Sequence, residues 1–144
     1  MKKQSYSDLL KDPRWQKKRL EIFKRDKWKC KLCNDNKTQL HVHHKEYIND
    51  KSPWEYENKY LITLCEDCHQ EIERIKKESP DIDINKIGIY KSSGWTDDST
   101  ILFVMYNSNL SLRIYDQNKE FITGYNFGHY ILNDIRRFLS KHIK

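Results

Sequence analysis

Four cysteines set the strongest constraint on how this chain folds. Cys30 and Cys33 form one C-x2-C pair, Cys65 and Cys68 form a second, and 31 residues separate Cys33 from Cys65. Each pair bends a short turn that offers two thiolates, so two pairs complete a tetrahedral Zn²⁺ site. The competing use, two disulfides, belongs to an oxidising compartment. The opening stretch MKKQSYSDLLKDPR carries lysines but no apolar core of the kind a secretory signal needs. We therefore expect structural zinc on Cys30, Cys33, Cys65 and Cys68, and an intracellular, cytoplasmic protein. A metal that ties two distant segments together also supplies much of the stability a small domain lacks.

The rest of the composition fits one small polar domain with an extension. Of 144 residues, 33% are charged, yet 5 Phe, 4 Trp and 9 Tyr supply core material that disordered chains lack. The longest strongly apolar run is Ile101 to Tyr106, which is strand-sized and far below the roughly 20 residues of a membrane helix. No membrane partner is expected. Charge is unevenly spread. Residues 1–51 hold 15 Lys and Arg against 7 Asp and Glu, a net of +8, whereas residues 52–144 hold 12 against 14, a net of −2. A concentrated basic patch attracts polyanions and releases counterions on meeting phosphates.

Local patterns predict an α+β chain. Asp12-Pro13 reads as an N-cap with proline at the first helical position, opening a helix over 13–26. On that helix Trp15, Ile22 and Phe23 share one side, while Arg14, Lys17, Lys18 and Arg25 gather on another, free to face a phosphate backbone. From Gln39 to His44 the residues alternate, with Leu40, Val42 and His44 on one face and His41 and His43 on the other, as in a strand. Residues 49–60 read as a loop. Leu61 to Leu64 leads into the second cysteine pair, and a helix runs from Cys65 to about Ser79, stopped by Pro80.

Three histidines crowd the cysteine pairs. His43 and His44 lie between them, and His69 follows Cys68 directly. Zinc already has four thiolates, so these imidazoles are available for a second, catalytic metal. Adjacent strand residues point to opposite faces, so one of His43 and His44 can bind metal while the other reaches a water or substrate.

The pattern C-x2-C … L-x-V-H-H … L-C-x2-C-H resembles the HNH endonucleases, whose ββα-metal active site often carries added zinc knuckles. The likeness covers about residues 5–79 and includes Asp12, Arg14, Trp15, Arg19, Ile22, Arg25, Asp26 and the loop Pro53-Trp54-Glu55-Tyr56. It implies a nuclease domain over 1–79 and hydrolysis of DNA phosphodiester bonds to a 5′-phosphate and a 3′-hydroxyl. It further implies a Mg²⁺- or Mn²⁺-like ion on His43 and His69, with His44 as the general base. Basic residues of the first helix, Arg14, Lys17, Lys18 and Arg25, would hold the DNA backbone. The alternative is a non-catalytic nucleic-acid-binding zinc module that keeps the HNH fold.

Two positions depart from the family pattern. The family's middle Asn stands just before the Leu that leads into the second knuckle. Here Tyr60 occupies that place, and the nearest Asn, Asn58, is given the task of orienting His44. Many members carry a His five residues after the last Cys. Here Glu73 stands there, four residues after His69, either as a contact to the metal or its water or as a solvated helix glutamate.

Residues 80–144 resemble nothing known to us. Short strands are expected over 86–91, 100–106, 110–115 and 120–123, with turns at Asn107–Asn109 and Asp116–Lys119 and a helix over 127–143. This β-meander plus C-terminal helix offers a surface for a protein partner or a second copy. His129 and His142 read as structural or surface residues.

Overall fold

The computed structural model describes residues 4–93, 100–106, 109–116, 118 and 120–127. The chain divides into two units, residues 1–77 and 78–144. Its composition of small sheets and few helices is α+β. No helix among the described residues is long and apolar enough to cross a membrane.

The first unit starts with a single helical turn, α1 (Tyr6–Leu9), followed by α2 (Pro13–Arg25). Asp12 caps α2 as expected, its Oδ1 accepting the Arg14 N–H at 2.8 Å ahead of proline at the first position. The apolar side of α2 buries Trp15, Ile22 and Phe23. Trp15 and Ile22 join Tyr56 and Leu61 in one core cluster, with Val42, Trp54 and Tyr60 packed around it. The helix ends without glycine. Lys27 and Trp28 take left-handed φ values of 58° and 57°, and the Trp28 N–H closes back on the Phe23 carbonyl at 2.8 Å. Such backbone costs about 1–2 kcal/mol per residue. It turns the chain sharply into the first cysteine pair.

Strands β1 (Leu40–His44) and β2 (Leu61–Cys65) pair antiparallel, with Leu40 opposite Cys65 and His44 opposite Leu61. Helix α3 (Glu66–Glu78) follows β2 without a break. The hairpin therefore has a cysteine end, where Cys65 meets the start of α3, and a histidine end, where β1 finishes. Between the strands, the expected loop contains two short 3-10 turns, Pro53–Glu55 and Asn58–Tyr60.

In the second unit β3 (Gly88–Ser93), β4 (Thr100–Tyr106), β5 (Asn109–Tyr115) and β6 (Phe121–Phe127) form an antiparallel meander in chain order. Thr100, Leu102 and Val104 alternate into the buried face, as period-two side chains must. Asp116 closes the β5–β6 connection: its Oδ1 accepts the N–H groups of Asn118 and Glu120 at 2.8 Å each. β6 continues through Phe127, where the sequence predicts a helix to begin. The rest of that predicted helix, with His129 and His142, lies outside the described residues, as does most of the Asn107–Asn109 turn.

Candidate functional site

Each cysteine pair is built from backbone hydrogen bonds. Around Cys30, its N–H donates to the Asp35 carbonyl at 2.8 Å, and its carbonyl accepts the Asn34 N–H at 2.9 Å. The Lys31 N–H donates to the Thr63 carbonyl at 2.9 Å, which lashes this turn to β2. At the other pair, the Cys68 N–H points at Cys65 Sγ, 3.4 Å away. The four sulfurs lie within 4.8 Å of one another, and none is in a disulfide. Cys33 Sγ and Cys65 Sγ are 3.6 Å apart. A disulfide needs about 2.05 Å, whereas a tetrahedron with metal–sulfur bonds of about 2.3 Å has edges of about 3.8 Å. Hydrogen bonds from the other three sulfurs drive Cys30 towards thiolate, and the same contacts drive Cys68 towards the protonated form. The four cysteines are positioned to bind a metal ion.

A second cluster forms at the histidine end of the hairpin. β1 alternates as its sequence predicts: His41 and His43 turn towards α3, and His44 turns towards α2 and the loop. His43 Nδ1 lies 3.4 Å from Glu73 Oε1, and His69 Nε2 lies 3.8 Å from the same oxygen. Burial, then the charge of Lys76 and the neighbouring His69 and His44 rings, push His43 down to about 3, so it is neutral at pH 7 and forms no ion pair with Glu73. Both separations are too long for good hydrogen bonds. Two ligands about 2.1 Å from a shared ion lie about 3.0–3.4 Å apart, so the His43–Glu73 spacing suits coordination as it stands, and His69 Nε2 would need to come about 0.4 Å closer. His43, His69 and Glu73 form the second group able to hold a metal among the described residues. Glu73, ambiguous in sequence, thus belongs to the cluster. It stands one turn beyond His69 on α3, and β1 brings His43 to both.

His44 is fixed from three sides. Its ring stacks on Trp15, with centroids 5.0 Å apart and planes 19° apart, and the Tyr56 ring meets it edge-on at 4.5 Å. Its Nε2 is 3.3 Å from the Pro53 carbonyl. A carbonyl can only accept, so the proton sits on Nε2 and the Nδ1 lone pair is left free. Burial lowers the His44 pKa, and the bond to Pro53 offsets part of that drop. One cleft of about 410 Å³ is lined by His41, His43, His44, His69 and Glu73 together with Trp15 and Arg19.

Two residues expected at the site make other contacts. Asn58 does not orient His44. Its Nδ2 donates to Glu21 Oε1 at 2.7 Å, and its carbonyl accepts from Arg25 Nη1 at 2.5 Å, so it fastens its 3-10 turn to α2. Pro53 supplies the contact expected of Asn58, because its turn lies beside the end of β1. Arg25 is not a free surface cation either. It forms a fork with Asp26, at 2.8 Å to each oxygen, and donates to the carbonyls of Asn58 and Leu61. Asp26 Oδ2 in turn accepts the Thr63 N–H at 3.0 Å. Burial raises the Asp26 pKa, but the Arg25 guanidinium and the Thr63 amide outweigh it and hold the carboxyl below its ordinary value. Arg14 forks onto Asp12 and lies over the Trp54 ring at 4.1 Å. Lys17 is exposed and Lys18 is half-buried.

Comparison with protein-family models, with curated proteins and with solved structures gave no match.

Proposed function

We propose that this chain is a metal-dependent endonuclease of the HNH type that hydrolyses DNA phosphodiester bonds. One observation carries the reading: a three-ligand cluster and an imidazole with a fixed tautomer open into the same cleft. The order β1, β2, α3 around that cleft agrees with a ββα-metal core. The cysteine set suits structural Zn²⁺, with all-sulfur ligands, a closed site and no exchangeable position. The His, His and Glu set suits a borderline transition ion better than Mg²⁺, so of the Mg²⁺- or Mn²⁺-like ions that the resemblance implies it favours Mn²⁺.

His43, His69 and Glu73 would hold the divalent ion, which supplies Lewis-acid charge to a phosphate oxygen when bound. His44 does the proton chemistry. Its Nδ1 takes a proton from a water whose oxygen forms a new bond to phosphorus. The phosphorus–O3′ bond breaks, and the leaving oxygen takes a proton from solvent. The Pro53 carbonyl stabilises the imidazolium formed on the way, since Nε2–H stays directed at it. Trp15 and Tyr56 keep the ring from rotating away.

Purified zinc-loaded protein should nick or cut plasmid with Mg²⁺ or Mn²⁺ and stop with EDTA. Glu73→Gln should weaken divalent-ion binding, measured by calorimetry, by roughly 10-fold or more, while the cysteine-bound zinc stays at one per chain. DNA binding without cleavage under every metal would instead favour the non-catalytic zinc module.

A further inference from the structure

Residues 4–77 contain four arginines, Arg14, Arg19, Arg25 and Arg74. Three of them are neutralised: Arg14 by Asp12, Arg25 by Asp26 and Arg74 by Glu71. Arg19 differs. Its Nη1 donates to the neutral Gln16 Oε1 at 2.8 Å, and its guanidinium lies 5.4 Å from the Phe23 ring centre. Among the described residues no carboxylate pairs with it. Arg19 also lines the cleft, one helical turn beyond the Trp15 that stacks on His44. An arginine kept without a counter-ion in a cleft of imidazoles still has four of its five N–H donors to offer an anion.

We propose that Arg19 is a catalytic residue that holds the scissile phosphate by one of its non-bridging oxygens. The inference rests on the hydrolase reading above. The phosphate enters with one negative charge, and a second develops as water adds to phosphorus. The three-ligand cluster lies on α3 and β1, whereas Arg19 reaches the cleft from α2. The anion is therefore gripped by elements of separate origin, and a planar guanidinium aims its N–H groups at one phosphate oxygen with a fixed direction that an ammonium lacks. Interactions of this kind strengthen as charge develops, so they act on kcat more than on KM.

The test uses the full-length, zinc-loaded chain on a defined oligonucleotide duplex. Arg19→Gln should lower kcat by roughly 10²–10³, and Arg19→Lys should recover part of the loss. A sulfur in place of one non-bridging oxygen gives two diastereomers at the scissile phosphate. The parent should be slowed by the one whose sulfur faces Arg19, and Arg19→Gln should lose that discrimination. A residue that merely supports the fold would leave the discrimination intact. If Arg19→Gln does not fold, the diastereomer ratio in Arg19→Lys carries the same information. Parental rates in Arg19→Gln, or an unchanged ratio in a variant that still cleaves, overturn this inference alone. A parent that fails to cleave with every divalent metal tried overturns the hydrolase reading and this inference with it.

Discussion

His44 is held at one ring nitrogen and open at the other, and that asymmetry is what a general base needs. A base must be neutral to accept a proton, and burial has already moved the His44 pKa below its ordinary 6.5. A cation on neighbouring His43 pushes it the same way. The sign follows directly: cleavage should climb with pH through a midpoint below 6.5 and be flat above it. His44→Ala should lose this acid limb and fall by about 10²–10⁴ in rate, roughly 3–5 kcal/mol of barrier. Zinc content should stay near the parental value, while the melting temperature should fall by several degrees, because the change empties a buried ring's place between Trp15 and Tyr56; rates are therefore compared at a temperature where both proteins are folded. A pH–rate profile of both proteins checks this, and equal rates at pH 7.5 would remove His44 from the mechanism.

Between elements, the decisive joint is the one that locks α2 to β2. Arg25 and Asp26 satisfy two β2-side carbonyls and one buried N–H, so both charges serve the hairpin that carries the cleft. Asp26→Asn should cost about 1.5–3 kcal/mol at pH 7, the usual worth of a hydrogen bond to a charged partner. Urea unfolding would measure it, and a loss under about 0.5 kcal/mol, no more than an ordinary surface substitution costs, would show the joint to be dispensable. The four cysteines make a second joint, from the turn after α2 to the start of α3. Cys65→Ser should therefore drop zinc below one per chain and unfold residues around both pairs together, as metal analysis and circular dichroism would report. Much of this architecture was legible in the residues. Asp12-Pro13 announced α2, alternation at 39–44 announced β1, and the cysteine spacing announced the joint between distant turns. Other parts were not. A helical wheel sorts Arg25 by angle with Lys17 and Lys18, but only the approach of β2 decides that it turns inward. The Pro53 carbonyl has no sequence signature at all, since every residue carries one. Glu73 stood at the right spacing from His69 for either role, and only the register of β1 brought His43 opposite it.

For the whole molecule, the question raised by the proposed function is which basic residues of the first unit are open to a polyanion and which hold the fold. The excess of +8 over residues 1–51 overstates the available charge. Arg25 is spent on Asp26 and two carbonyls, and Arg14 is largely spent on Asp12. Lys17 and Lys18, by contrast, have no carboxylate partner among the described residues, and they lie on the same helix as Arg19. Phosphate contacts release counterions, so each one lost should flatten the slope of log affinity against log salt by about one unit. The double change Lys17→Ala with Lys18→Ala should weaken binding of unrelated duplexes by similar factors and reduce the slope by about one to two units. Arg25→Gln should do the reverse, lowering the melting temperature while leaving the slope unchanged at temperatures where it stays folded. Fluorescence anisotropy over a salt series separates the two. If the lysine variant keeps the parental slope while Arg25→Gln flattens it, the division of labour between surface and joint is the opposite of the one drawn from these contacts.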